Sequence, residues 1–98
     1  MTIMKNFIRI IKKLIGIYES GNEYWVNIKD IEITPQFKET SPRFIKMAQK
    51  YDWYCKHGEF QSPIKLTRDF VLVDGYTSYL LAKKFDLDKV PVYFEDWE

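Results

Sequence analysis

The stretch Leu72-Val73-Asp74-Gly75-Tyr76-Thr77-Ser78-Tyr79-Leu80-Leu81-Ala82 constrains the fold most. An apolar run ends in an Asp-Gly pair and passes straight into a helical pattern, so it reads as a strand, a sharp turn and a helix. Gly75 supplies the backbone angles that such a turn demands, and Thr77 or Ser78 is placed to cap or line the first helical turn. Asp74 is a turn former whose carboxylate satisfies nearby N–H groups. The helix, expected over Thr77 to Phe85, presents unpaired backbone N–H groups and the positive end of its dipole at its start, a ready position for an anion. After a short loop, Val90-Pro91-Val92-Tyr93-Phe94 returns as a strand, expected beside the strand that leads into Gly75.

The chain upstream supplies the rest of a mixed sheet and a second helix. Ile64-Lys65-Leu66-Thr67 and Phe70-Val71-Leu72-Val73 read as a hairpin with a tight Arg68-Asp69 link. Thr40-Ser41-Pro42-Arg43 reads as a helix start, with a hydroxyl at the cap and proline at the first helical position, where its missing N–H costs nothing. The helix is predicted over Ser41 to His57 and ends at Gly58 in a left-handed cap. Phe44, Met47, Ala48, Tyr51 and Cys55 fall on its apolar face, while Arg43, Lys46, Lys50 and, more loosely, His57 form a basic stripe. Such a stripe is equally what a solvated helix face looks like. Val26, Ile28, Ile31 and Ile33 form two short apolar alternations around Lys29-Asp30, and Thr34-Pro35 ends that run because proline cannot donate to a ladder. Ser20-Gly21-Asn22-Glu23 is a turn cluster before Tyr24. From Ile3 to Ile15, Phe7, Ile11, Leu14 and Ile15 recur at helical spacing between basic residues, which reads as a basic amphipathic helix; its β-branched content leaves a strand over Phe7 to Ile11 as the alternative. The domain organisation expected is therefore an N-terminal extension over 1–23 and one folded domain over 24–98.

The order and spacing of these segments resemble the ParB/sulfiredoxin family. Leu72 to Ala82 is similar to its strand, glycine-led turn and helix, and Val90-Pro91-Val92 to the strand that follows. Val26 to Ile33 looks like the family's opening segment, Ser41-Pro42-Arg43 like the start of its first helix, and His57-Gly58 through Leu66 like its helix-to-strand link. The resemblance covers about residues 24 to 94. It implies a small α+β domain with a short mixed sheet and two or three helices, and a phosphate pocket between the first helix and the glycine turn. Carried over residue by residue, the pocket is bounded by Arg43, Lys46 and Lys50 on one side and by Gly75, Tyr76, Thr77 and Ser78 on the other. Where ParB-type members have Glu-Arg-Arg after the glycine, and sulfiredoxins Cys-His-Arg, this chain has Tyr76-Thr77-Ser78. The family's thiol and its phosphate-gripping arginine are both missing, and a hydroxyl cannot reproduce the bidentate, charge-assisted grip of a guanidinium.

Charge and composition narrow the function classes. Fifteen basic and fourteen acidic residues nearly cancel, which argues against a strongly basic nucleic-acid clamp. The ends are polarised: residues 1–20 carry a net +3 and residues 86–98 a net −4. The 17% aromatic content is high for so small a chain; most rings are expected to line the core or its edges, and a surplus at the surface would favour protein contacts. The single Cys55 permits no internal disulfide and is expected to be buried or inert; with only His57 nearby there is no metal-ligand spacing. No run resembles a secretion signal or a membrane span, and a cytoplasmic location is expected.

These observations lead to a non-catalytic module, without a cofactor, that contacts a nucleotide or nucleic acid through phosphate. The alternative is a protein-interaction module of the inhibitor or adaptor type that mobile elements encode, acting on a nucleic-acid enzyme through aromatic or charged surface. Catalysis is disfavoured because Asp74 is the only group near the turn able to handle a proton, and one carboxylate does not make a converging site.

Overall fold

The computed structural model describes residues 19–96. They form strand β1 (Tyr24–Asn27), a 3-10 turn over Ile28–Asp30, helix α1 (Pro35–Lys38), helix α2 (Phe44–His57), strands β2 (Ile64–Leu66) and β3 (Leu72–Asp74), helix α3 (Tyr76–Lys84) and strand β4 (Lys89–Phe94). The α+β class and the small mixed sheet with three helices agree with the reading from sequence. The N-terminal segment read as a basic amphipathic helix, and the final Trp97-Glu98, lie outside the described residues.

The sheet runs in the order β1-β4-β2-β3, with β4 antiparallel to β1 and parallel to β2, and β2 antiparallel to β3. Alternation places Val26, Ile64, Leu66, Leu72, Val90, Val92 and Phe94 on one buried face, where Tyr79 and Ala82 of α3 and the turn residues Ile28, Ile31 and Phe70 join them in the core. Seven apolar positions that alternate with polar or exposed ones thus fix which face of a short sheet is covered.

β4 lies beside β2, not beside the glycine-turn strand as expected. The reason is that both edges of β3 are taken. β2 pairs with one of them, and on the other the Glu32 N–H donates to the Phe70 carbonyl at 2.8 Å while the Leu72 N–H donates to the Glu32 carbonyl at 2.9 Å. Glu32 and Val71 form this isolated parallel bridge, which replaces the second apolar alternation expected around Ile31 and Ile33. The free edge of β2 is left for β4.

Two helix starts differ from the sequence expectation. Thr34-Pro35 does not merely end a strand: Thr34 is the N-cap of α1, its hydroxyl accepts the Phe37 N–H, and Pro35 occupies the first turn. The same chemistry expected at Ser41-Pro42 is unused. There α2 begins at Phe44, with Arg43 at the cap position and no side-chain cap, while the Thr40 hydroxyl turns back to donate to the Phe37 carbonyl at 2.7 Å. At its other end α2 stops as expected, on Gly58 in the left-handed region.

The hairpin link is longer than Arg68-Asp69. The Thr67 hydroxyl accepts the N–H groups of Asp69 and Val71, and Phe70 takes a left-handed φ of 66° that drives its ring into the core. Phe70 was read as strand because its side chain is apolar; here tertiary burial overrides the local backbone preference.

Candidate functional site

α3 begins at Tyr76 with Gly75 as its N-cap, at φ 87°. A Cβ at this position would lie 2.7 Å from the Ile64 Cα and closer still to the Pro63 carbonyl oxygen, so Gly75 is required both by its angles and by the tight approach of the 63–64 backbone. The Asp74 carboxylate accepts the Gly75 N–H at 2.9 Å, the turn-forming role expected of it. Neither Thr77 nor Ser78 caps the helix; no side chain does. The first intrahelical bond runs from the Tyr79 N–H to the Gly75 carbonyl at 3.0 Å. The N–H groups of Tyr76, Thr77 and Ser78 therefore have no partner one helical turn back, which leaves a positive helix end open to whatever approaches it.

A cavity of about 300 Å³ opens at this end. Gly75, Tyr76 and Thr77 form one wall with Asp74, and Lys46 and Lys50 of α2 form another. Thr40, Ser41 and Pro42 of the linker, Phe37 of α1 and Ser62 complete the lining. The structure brings five of the seven sequence-predicted site residues together here. Arg43 lies between the lining residues Pro42 and Lys46 but does not line the cavity itself, and Ser78 is turned away. The Ser78 side chain is buried and its hydroxyl donates to the Ser62 carbonyl at 2.6 Å, tying α3 to the 62–63 loop.

Lys50 is half-buried and its ammonium donates to the Ser62 hydroxyl. Burial first, and then the neighbouring Lys46 ammonium, hold the Lys50 pKa below its ordinary 10.5, while Asp74 pulls it partly back up. Two cations thus face one uncapped helix start, with a single carboxylate at the lip.

The inward face of α2 is only partly the apolar face read from sequence: Met47 belongs to both, and the Tyr51 ring, though largely open, still reaches Phe85 at 5.4 Å. Phe44 is 84% exposed, and Ala48, Tyr51 and Cys55 are exposed as well, so Cys55 is not a buried thiol. The helix instead packs through Met47, Lys50 and Tyr54, at the three- and four-residue spacing that holds one face, and the Tyr54 ring stacks on Phe85 at 4.7 Å and on Phe60 at 4.8 Å. Lys50 therefore belongs to the basic stripe and to the packing face at once. Phe37, Thr40 and Ser62 were not anticipated because α1 and the link before β2 carry no motif; only the chain's path sets them beside Gly75.

A larger cavity of about 370 Å³ lies between Ser20-Gly21 and the end of β4, but Asp74, Glu95 and Asp96 line it against Lys65 alone, which is the wrong balance for an anion. Among the described residues no group of three or more His, Cys, Asp or Glu side chains could hold a metal ion, and no helix is long and apolar enough to cross a membrane.

No protein-family model and no curated protein matches the sequence. The structure, in contrast, is similar to solved ParB N-domains. It superposes on two structures of pNOB8-like ParB N-domains with TM-scores of 0.64 and 0.63, at 23% and 26% identity, covering 79% of this chain and 30% and 28% of those chains. It also superposes on the C-terminally truncated chromosome-partitioning protein ParB from Caulobacter crescentus complexed with CTP-γ-S, at a TM-score of 0.60 and 17% identity, covering 80% of this chain and 46% of that one. This chain thus spans less than half the length of these neighbours. Its fold is that of a ParB N-domain, as the resemblance in sequence implied.

Proposed function

We propose that the domain is a non-catalytic module that binds a phosphate-bearing ligand, a nucleotide or the backbone of a nucleic acid, in the Gly75 cavity. The observation that carries this reading is the convergence of Lys46 and Lys50 on the uncapped start of α3. An anion there accepts N–H bonds from Tyr76 and Thr77 and is neutralised by two ammonium groups, each charge-assisted and therefore stronger than a neutral hydrogen bond. Arg43, at the cap position of α2 three residues before Lys46, adds charge at the rim instead of a direct grip. At about 300 Å³ the cavity sits at the lower end of small-ligand pockets, enough for phosphate groups with the rest of the ligand outside. That one structural neighbour was solved with a CTP analogue supports a nucleotide as the ligand class.

The test is calorimetric titration with inorganic pyrophosphate, CTP, ATP and a short single-stranded oligonucleotide at low salt. Binding that weakens as salt rises is expected, with no turnover of CTP or ATP. Absence of heat for all four ligands would overturn the reading. Hydrolysis lost in Asp74→Ala would overturn the non-catalytic part alone.

A second reading rests on a separate observation. Phe44 and Ile45, 84% and 69% exposed, stand at the start of α2, between the cavity-lining Pro42 and Lys46 in sequence. Apolar side chains this open suit a protein contact, the role of an inhibitor or adaptor. Co-purification with a larger protein, lost in Phe44→Ser/Ile45→Ser while phosphate binding persists, would favour it.

A further inference from the structure

On a different part of the domain, a cleft of about 240 Å³ opens where β1 meets the end of α2. Trp25, Tyr54 and Phe60 supply aromatic surface, Leu87 and Pro91 fill behind them, and the ionisable residues that line it are Glu23 and Glu59. We propose that this cleft receives an arginine side chain carried on an extended segment of a partner protein.

Three features of the cleft point to that occupant. The first is charge. Both ionisable groups are carboxylates; Glu23 accepts only a long bond from the Tyr93 hydroxyl, at 3.4 Å, and among the described residues Glu59 has no cationic partner. An anionic or neutral apolar ligand would have to sit against two uncompensated carboxylates, whereas a cation neutralises them. The second is the aromatic lining. Trp25 is 63% exposed, more than core packing explains, and indole gives the strongest of the cation–π faces. The Tyr54 ring, which also lines the cleft, is already fixed by its contacts with Phe60 and Phe85, so little side-chain freedom is lost on binding. A planar guanidinium stacks on such rings and still offers its edge to carboxylates, which a compact ammonium cannot do. The third is size and position. The volume falls below that of ordinary small-ligand pockets and suits one side chain. Trp25 belongs to β1, which is the outermost strand of the sheet and has no strand on its outer side among the described residues, so an extended segment has main-chain partners alongside the cleft.

The experiment uses a short blocked threonine–valine peptide with one central arginine, titrated into nitrogen-15-labelled protein, with lysine and glutamine peptides as comparisons. Shift changes are expected at the Trp25 indole, Gly58, Glu59 and the β1 amides, with the arginine peptide binding about tenfold more tightly than the glutamine peptide and the lysine peptide between them. Trp25→Ala and Glu23→Gln/Glu59→Gln should each weaken the arginine peptide about tenfold without unfolding the domain, since all three side chains are exposed. Equal response to the glutamine peptide, shifts confined to the Gly75 cavity, or a cleft closed by self-association of the protein would each overturn the proposal. Inorganic pyrophosphate should leave these resonances unmoved, so the outcome is independent of whether the Gly75 cavity binds phosphate.

Discussion

Around Gly75 two lysines face an uncapped helix start, whereas around Trp25 two glutamates face aromatic rings. The first region is made of groups that also hold the fold: Gly75 against Pro63 and Ile64, Ser78 on the Ser62 carbonyl, Lys50 on the Ser62 hydroxyl. The second carries its charge and its most open ring on exposed side chains, Glu23, Trp25 and Glu59, while Tyr54, Phe60, Leu87 and Pro91 of its lining are half-buried. Binding and stability are therefore entangled at the cavity and separable at the cleft. The contrast also sets the sign of each ligand, because neither site can exchange its partner for one of like charge without leaving charges unneutralised.

The largest expected effect breaks the cavity at its foundation. Gly75→Val combines a left-handed φ with collision against the 63–64 backbone and should destabilise the domain by about 3 kcal/mol. Gly21→Ala, at a similar φ of 82° but with nothing within 4 Å of its Cβ, should cost only about 1 kcal/mol. Urea denaturation of the two variants checks this; equal losses would mean that the close approach at Gly75 is easily relieved.

Next in size is the separation of charge from scaffold. Lys46→Ala, exposed and free of the Ser62 contact, should weaken pyrophosphate binding about tenfold, or ~1.4 kcal/mol, while the melting temperature stays within a few degrees. The same substitution should not alter binding of the arginine peptide at the Trp25 cleft. Calorimetry with both ligands tests the independence of the two regions.

A smaller effect is expected from the carboxylate at the lip. Asp74→Asn keeps an oxygen to accept the Gly75 N–H but removes the charge that opposes an incoming phosphate, so affinity for pyrophosphate should rise a few-fold. A fall in affinity would show that Asp74 takes part in holding the ligand.

The smallest effect is in pH. Because the folded-state pKa of Lys50 is lowered, the unfolded chain binds more protons between that pKa and 10.5, so stability from this group is present above 10.5 and is lost as pH falls through the folded value. Phosphate binding has the opposite trend and should weaken as pH rises through the lowered Lys50 pKa. Lys50→Arg should move that loss to higher pH, which titrations across the alkaline range measure.

The sequence by itself determined the strand, turn and helix at Leu72 to Ala82, the left-handed end of α2 at Gly58, the α+β class and the need for glycine at position 75. All of these rest on local chemistry, since an apolar alternation, a residue without a Cβ, and a helix stop act within a few residues. Through the family resemblance it also named Arg43, Lys46, Lys50 and Gly75 to Ser78 as one pocket, of which Arg43 and Ser78 do not line the cavity, and the basic stripe alone did not distinguish a pocket wall from a solvated face. Tertiary structure decided the rest. Thr34-Pro35 and Ser41-Pro42 carry the same local signal, and only the folded chain distinguishes them: the first starts a helix and the second does not. The place of β4 turned on Glu32 occupying an edge of β3 from forty residues away. The inward face of α2 was only partly legible: Phe60 and Phe85 draw in Tyr54, which the apolar stripe did not include, while Tyr51 also reaches Phe85 and Phe44 is left exposed. The Trp25 cleft left no trace in the sequence, because its walls come from β1, the end of α2 and the loop before β4, segments that only folding brings within reach of one another.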